Sequence, residues 1–126
     1  MAKEIISTQA APAALGPYSQ AVKVDGWIFC SGQIAMNPQT GEIAEGIAAQ
    51  TQQCLKNLTA VLQEASATLA DAVKVTVFIK DMKQFGEMNE VYAKFFTENP
   101  PARACVEVAR LPKDVLVEIE LVAKAN

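Results

Sequence analysis

Apolar and polar positions alternate with different periods along the chain, and each change of period marks an element. Residues 18–24, YSQAVKV, read as a strand. Asp25-Gly26 follows as a two-residue turn favouring positive φ, and WIFCSGQI at 27–34 is the returning strand. Pairing outward from that turn sets Ser31 against Gln20 and Gln33 against Tyr18. Asn37-Pro38 and Thr40-Gly41 mark a second turn, with a short strand expected near Glu42–Ala44. Over 47–65 the period lengthens. Thr51, Cys54, Leu55, Leu58, Leu62 and Ala65 form one helical stripe, while Gln52, Gln53, Lys56, Asn57 and Gln63 take the other side.

The β-branched run VKVTVFI, 73–79, predicts a central strand. A second amphipathic helix is expected over 83–98, with Phe85, Met88, Tyr92, Phe95 and Phe96 on one face as core. Asn99-Pro100-Pro101 ends it. Strands at 103–109 and 115–123 follow, joined by RLPKD. Strand–helix–strand units close right-handed, so both helices lie on one side of the sheet. The expectation is a single domain over 1–126, an α+β two-layer sandwich with a six-stranded mixed sheet and two helices on one face. Whether the last two strands are neighbours or flank the 73–79 strand stays open. In the last strand Val115, Val117, Ile119 and Leu121 point one way, and Leu116, Glu118, Glu120 and Val122 the other. Neither side is properly polar, so the uncovered face is expected to be buried between subunits.

Composition sharpens this. A chain of 126 residues that is 51% hydrophobic carries more apolar surface than one small domain hides, which points to a homo-oligomer. The net charge is −3 and the lysines and arginines are scattered, so no basic stripe for nucleic acid is visible. Glu4, Ser7, Thr8 and Gln9 break any signal-peptide pattern, and no stretch approaches a membrane span. Cys30, Cys54 and Cys105 are widely spaced without a C-x-x-C, so no zinc site or redox pair is expected, in keeping with a cytoplasmic protein. The chain has no histidine, so acid–base chemistry falls to carboxylates, Tyr, Lys, Cys or water.

Few residues then stand out. Arg103, behind two prolines at a strand entrance, offers either a fork for a carboxylate or a structural ion pair with Glu107 or a second subunit. Glu118 and Glu120 share a strand face, as either a solvated or salt-bridged edge or a partly buried carboxylate able to hold or deprotonate a water. Gly32 marks a bulge or a close backbone approach, with Tyr18 at the hairpin's far end. Cys105 lacks a histidine to activate it as a nucleophile.

The segments GPYSQAV (16–22), CSGQI (30–34), NPQTGEI (37–43), VKVTVFIKDM (73–82) and PARACVEVARLPKDVLVEIE (101–120) resemble the RidA/YjgF family, the RidA subfamily in particular, over nearly the whole chain. The resemblance implies a chorismate-mutase-like fold, a homotrimer with clefts between subunits, and no cofactor or metal. It implies hydrolysis of small 2-imino acids and their enamine tautomers, such as 2-aminoacrylate/2-iminopropanoate and 2-iminobutanoate, to 2-oxo acids and ammonia. Matched residue by residue, Arg103 would bind the substrate carboxylate and Glu118 would position water. Tyr18, Ser31, Gly32, Asn89 and Cys105 would line the site. Relatives described as ligand-binding, chaperone-like or RNA-cleaving supply the alternative. The segment before Pro101 is shorter than is common in such proteins, which bears on substrate size.

Overall fold

The computed structural model describes residues 2–125. In chain order its elements are β1 (Glu4–Ile6), β2 (Ala21–Val24), β3 (Trp27–Gln33), α1 (Ile47–Glu64), β4 (Ala72–Ile79), α2 (Phe85–Phe95), β5 (Ala102–Glu107) and β6 (Val117–Lys124). The strands form one mixed sheet in the order β1-β2-β3-β6-β4-β5. β5 runs parallel to β4, joined through α2, and β6 lies antiparallel between β3 and β4. The last two strands therefore flank β4.

The β2–β3 register is the expected one: Ala21 opposes Cys30, Val24 opposes Trp27, and the Ser31 N–H donates to the Gln20 carbonyl at 2.9 Å. Asp25 and Gly26 both take positive φ, 52° and 80°, as a tight hairpin requires. Tyr18–Gln20 lie outside the strand. The strand expected near Glu42–Ala44 is reduced to a bridge between Met36 and Ile43. There the Asn37 side chain accepts from the Gln39 and Thr40 N–H groups and holds the chain in a turn. The sixth strand is instead β1, whose three residues pair with the free edge of β2. So short a run carries no readable periodicity.

The helices cover one face. Ile28, Val75, Val77, Ile79, Val117 and Ile119 point into it and are fully buried against Cys54, Leu55, Leu58, Leu62 and Met88. Asn57 corrects the sequence expectation: it is 1% exposed, not on the polar side of α1. Its amide donates to the carbonyls of Ile34 at 3.1 Å and Met36 at 3.0 Å. Gln50 is buried for the same reason, donating to the Ala44 carbonyl and accepting from the Leu116 N–H. Loop backbone brought under a helix must find partners, and polar side chains on the helix supply them.

The opposite face has no second layer. Ile5, Trp27 and Phe29 stand on it, 54%, 40% and 49% exposed, with the Lys124 ammonium 5.5 Å from the Trp27 ring centroid. Among the described residues no helix is long and apolar enough to cross a membrane.

Asn57→Ala strands two carbonyls in the interior and is expected to cost about 2–3 kcal/mol, read as a lower unfolding midpoint at fixed protein concentration. Gln52→Ala, on the exposed side of α1, should change stability by less than about 0.5 kcal/mol.

Candidate functional site

The polar side chains singled out above fall into two groups, and strand parity decides where each points. Arg103 pairs with Val75, a core-facing residue of β4, so its side chain lies on the helix side of the sheet. There α2 presents Phe85, Asn89 and Tyr92 at spacings of four and three, on one face. Arg103 Nη1 donates to Asn89 Oδ1 at 2.7 Å. The guanidinium carbon lies 4.7 Å from the Tyr92 ring centroid and 5.4 Å from that of Phe85. Such contacts stabilise a cation by about 0.5–2 kcal/mol each and fix its plane.

Among the described residues Arg103 has no carboxylate partner. The only ion pair among the described residues is the exposed one between Arg110 and Asp114, at 2.7 Å. Glu107 is occupied elsewhere, accepting from the Met82 N–H at 2.8 Å. Cys105 shares the helix side with Arg103, opposite Val77. Burial pushes its thiol pKa up and Arg103 opposes the shift, so it is no ready thiolate. Cys30 is pushed by burial to about 12, and Cys54, more deeply buried, is raised further. The Tyr92 hydroxyl is buried without a hydrogen-bond partner. Burial raises its pKa, against the pull of Arg103.

Glu118 belongs to the other group. It pairs with Phe78, one residue out of phase with Val77, and therefore points to the uncovered face. Beside it β3 bulges: Cys30 opposes Leu121 but Gln33 opposes Ile119, which leaves Ser31 and Gly32 to span one place. The bulge brings the Gly32 backbone onto the Glu118 carboxylate. A Cβ at position 32 would collide with Glu118 Oε2 and sit 2.9 Å from Cδ. Burial raises the Glu118 pKa above the ordinary glutamate value, and the like charge of Glu120 adds to the shift.

Ser31 Oγ donates to the Ser19 carbonyl at 2.6 Å, so its hydroxyl fastens the hairpin. The Tyr18 hydroxyl accepts from the Leu15 N–H at 3.3 Å. A pocket of about 250 Å³ joins Leu15, Tyr18, Gly32, Gln33, Lys113 and Glu118. A wider, open recess of about 1070 Å³ runs along residues 5–14 and contains Tyr18 alone of the expected site residues.

The structure thus brings together Asn89, Arg103 and Cys105 on one face, and Tyr18, Ser31, Gly32 and Glu118 on the other. It does not bring Arg103 to Glu118 within one chain. The sequence reading missed Phe85 and Tyr92 as the cradle of Arg103, although their spacing around Asn89 was visible. The core assignment of that stripe holds, with Met88 and Tyr92 buried and Phe85, Phe95 and Phe96 packed against the core, but Phe85 and Tyr92 also turn their ring faces to the guanidinium. Among the described residues no cluster of three or more His, Cys, Asp or Glu could hold a metal ion.

Residues 8–125 match the family model described as Endoribonuclease L-PSP. The chain is 56% identical over 124 residues to a RutC family protein of Pyrococcus abyssi, covering 98% of each chain. It is 51% identical over 121 residues, 94% of each chain, to the 2-iminobutanoate/2-iminopropanoate deaminase of Escherichia coli K12. The structure of Escherichia coli TdcF with bound serine superposes with a TM-score of 0.94 at 47% identity, covering 98% of this chain and 99% of that one.

Gly32→Ala forces the Glu118 carboxylate from its seat. A crystal structure of the variant should show Glu118 in another rotamer, with a stability loss of less than about 1 kcal/mol because a flexible side chain gives way. An unmoved carboxylate would contradict the close approach.

Proposed function

The chain belongs to the Endoribonuclease L-PSP family, also called RidA/YjgF, and on that premise we propose that it deaminates small 2-imino acids, 2-iminopropanoate and 2-iminobutanoate among them. The products are the 2-oxo acid and ammonia. The observation that carries the reading is Arg103: a guanidinium cradled by two rings and an amide, with no carboxylate partner among the described residues. Such a group is prepared for an anion from outside the chain, and its planar fork suits a carboxylate.

The second requirement is a water. An imine carbon is already electrophilic, so it needs orientation and one placed nucleophile rather than a strong one. Ionised Glu118 accepts a hydrogen bond from that water and takes its proton as oxygen bonds to C2. The C=N π pair moves to nitrogen, which is protonated, and a tetrahedral aminoalcohol results. Its hydroxyl proton passes to the amino nitrogen, the oxygen electron pair forms the carbonyl as the C–N bond breaks, and ammonia leaves. An enamine enters the same path once protonated at C3. No redox partner is needed, and the absence of histidine is no obstacle.

Since the two groups lie on opposite faces, this chemistry requires two copies, the Arg103 face of one against the Glu118 face of the next. We assign the assembly as a homotrimer with its clefts between subunits. Its support is the uncovered sheet face with Ile5, Trp27 and Phe29. The family's ribonuclease label fits this chain less well: its net charge is −3 and it has no histidine.

A coupled assay, with a dehydratase releasing the imine and the oxo acid followed in time, tests the reading. Arg103→Ala should lower kcat/KM at least about a hundredfold, the loss of two charge-assisted hydrogen bonds, with the assembly intact. Arg103→Lys keeps the charge without the fork and should recover little; wild-type rates in the alanine variant would falsify the clamp.

The Glu118 carboxylate gives the pH dependence. Because its pKa is raised, the ionised base is lost on acidification at a higher pH than for an ordinary glutamate. The acid limb of kcat/KM should therefore lie above 4.5, the unshifted value. Glu118→Gln should reduce the rate by about 10²–10⁴. Glu120→Gln removes a like charge, so it should move the limb to lower pH while activity survives.

A further inference from the structure

The segment from Thr8 to Leu15 has no regular secondary structure, yet it forms a wall of the Glu118 pocket through Pro12, Ala13 and Leu15. One side chain explains how it is held. Gln20 is 4% exposed and its amide is committed to the segment's backbone. Oε1 accepts from the Thr8 N–H at 2.7 Å. Nε2 donates to the carbonyls of Thr8 at 3.1 Å, Ala11 at 3.3 Å and Pro12 at 2.8 Å. A fifth tie comes from beyond the clasp, where the Leu15 N–H donates to the Tyr18 hydroxyl.

The composition of the held stretch is unusual for a surface loop. Residues 10–14 read AAPAA, all small and apolar, and Leu15 follows at 70% exposure. Core packing does not account for an exposed leucine there. In the reaction above the substrate's carboxylate goes to Arg103 and its C2 to the water beside Glu118. The remaining substituent on C2 is a hydrocarbon, and it must lie against whatever else lines the pocket. Ile34 and Met36 also line it, but their carbonyls are tied to α1 through Asn57. The 12–15 stretch belongs to no strand or helix.

Resting on the deaminase reading, we propose that residues 12–15 are the wall against which the substrate's hydrocarbon side chain packs, and that Gln20 is the positioning residue that holds this wall in place. Small residues at 12–14 leave room, and Leu15 closes the outer end. Side-chain size among 2-imino acids is thus selected by a loop whose residues can change without disturbing the sheet.

The test uses full-length protein and 2-imino acids bearing methyl, ethyl, isobutyl and benzyl substituents, released in situ by an amino-acid oxidase. Formation of the oxo acid is measured against spontaneous hydrolysis. Ala13→Leu narrows the pocket and should lower kcat/KM for the isobutyl and benzyl compounds, relative to methyl, by roughly tenfold. Leu15→Ala opens it and should raise the same ratio by roughly tenfold. Both residues are exposed, so neither substitution threatens the fold. Gln20→Glu keeps the acceptor for the Thr8 N–H and loses the donors. It should raise KM for the methyl compound several-fold, leave kcat within about twofold, and flatten the size preference.

An unchanged size profile in Ala13→Leu and Leu15→Ala overturns the wall. A profile that moves with those two but not with Gln20→Glu overturns the clasp alone. Wild-type protein that accelerates none of the four substrates overturns the deaminase reading, and the wall with it. If Gln20→Glu does not fold, the clasp is judged instead by Thr8→Pro, which deletes the N–H that Gln20 Oε1 accepts, and an unchanged profile there overturns it.

Discussion

Strand parity constrains everything else in this protein. With α1 and α2 stacked on one face only, each strand residue is either inside the core or on a surface with no second layer. Val75, Val77 and Ile79 fall inside, and so do Arg103 and Cys105 by their pairing with β4. Phe78 falls outside, and Glu118 with it. The guanidinium and the carboxylate are thus separated by the thickness of a sheet. No side-chain rearrangement could join them, since a one-residue register slip would expel the entire core face of a strand.

Each half is built by a different device. Arg103 depends on a helix face, where residues 85, 89 and 92 line up and offer two rings and an amide. Glu118 depends on an irregularity, the bulge at Ser31–Gly32, which removes a side chain where the carboxylate needs space. Its raised pKa follows from that enclosure and from Glu120 two residues away. The enclosing wall on the remaining side is loop, held by the Gln20 amide. Regular elements thus place the charges, and irregular ones shape the space around them.

This division explains what could be read from the sequence. Helix α1 and the β2–β3 register were legible, because six stripe positions and a two-residue turn are strong periodic signals. The six-stranded, two-helix architecture followed from element order. Which residues form the sixth strand did not, since β1 is three residues long and the rival stretch at 42–44 has similar chemistry. Asn57, Gln50 and Gln20 were misread or passed over for a common reason. A buried amide looks polar in any periodic pattern, and its partners are backbone groups far along the chain. Arg103, the Glu118/Glu120 pair, Tyr18, Gly32 and Cys105 stood out from the pattern itself, whereas their roles, and Asn89 altogether, came from the family resemblance. Parity in the last strand put Glu118 and Glu120 on one face, but nothing in the sequence pattern alone separated them. The structure distinguishes them by burial.

The chain holds a single tryptophan, Trp27, and it stands on the uncovered face beside Lys124. An indole in water emits at longer wavelength than one enclosed by protein, so this ring acts as a built-in lamp for whatever approaches the sheet. Its colour is set by the neighbour rather than by the chain's own core, which α1 and α2 keep on the far side. If copies pack on this face as proposed, dilution followed by emission wavelength would trace their dissociation without any attached dye, separately from the loss of the fold.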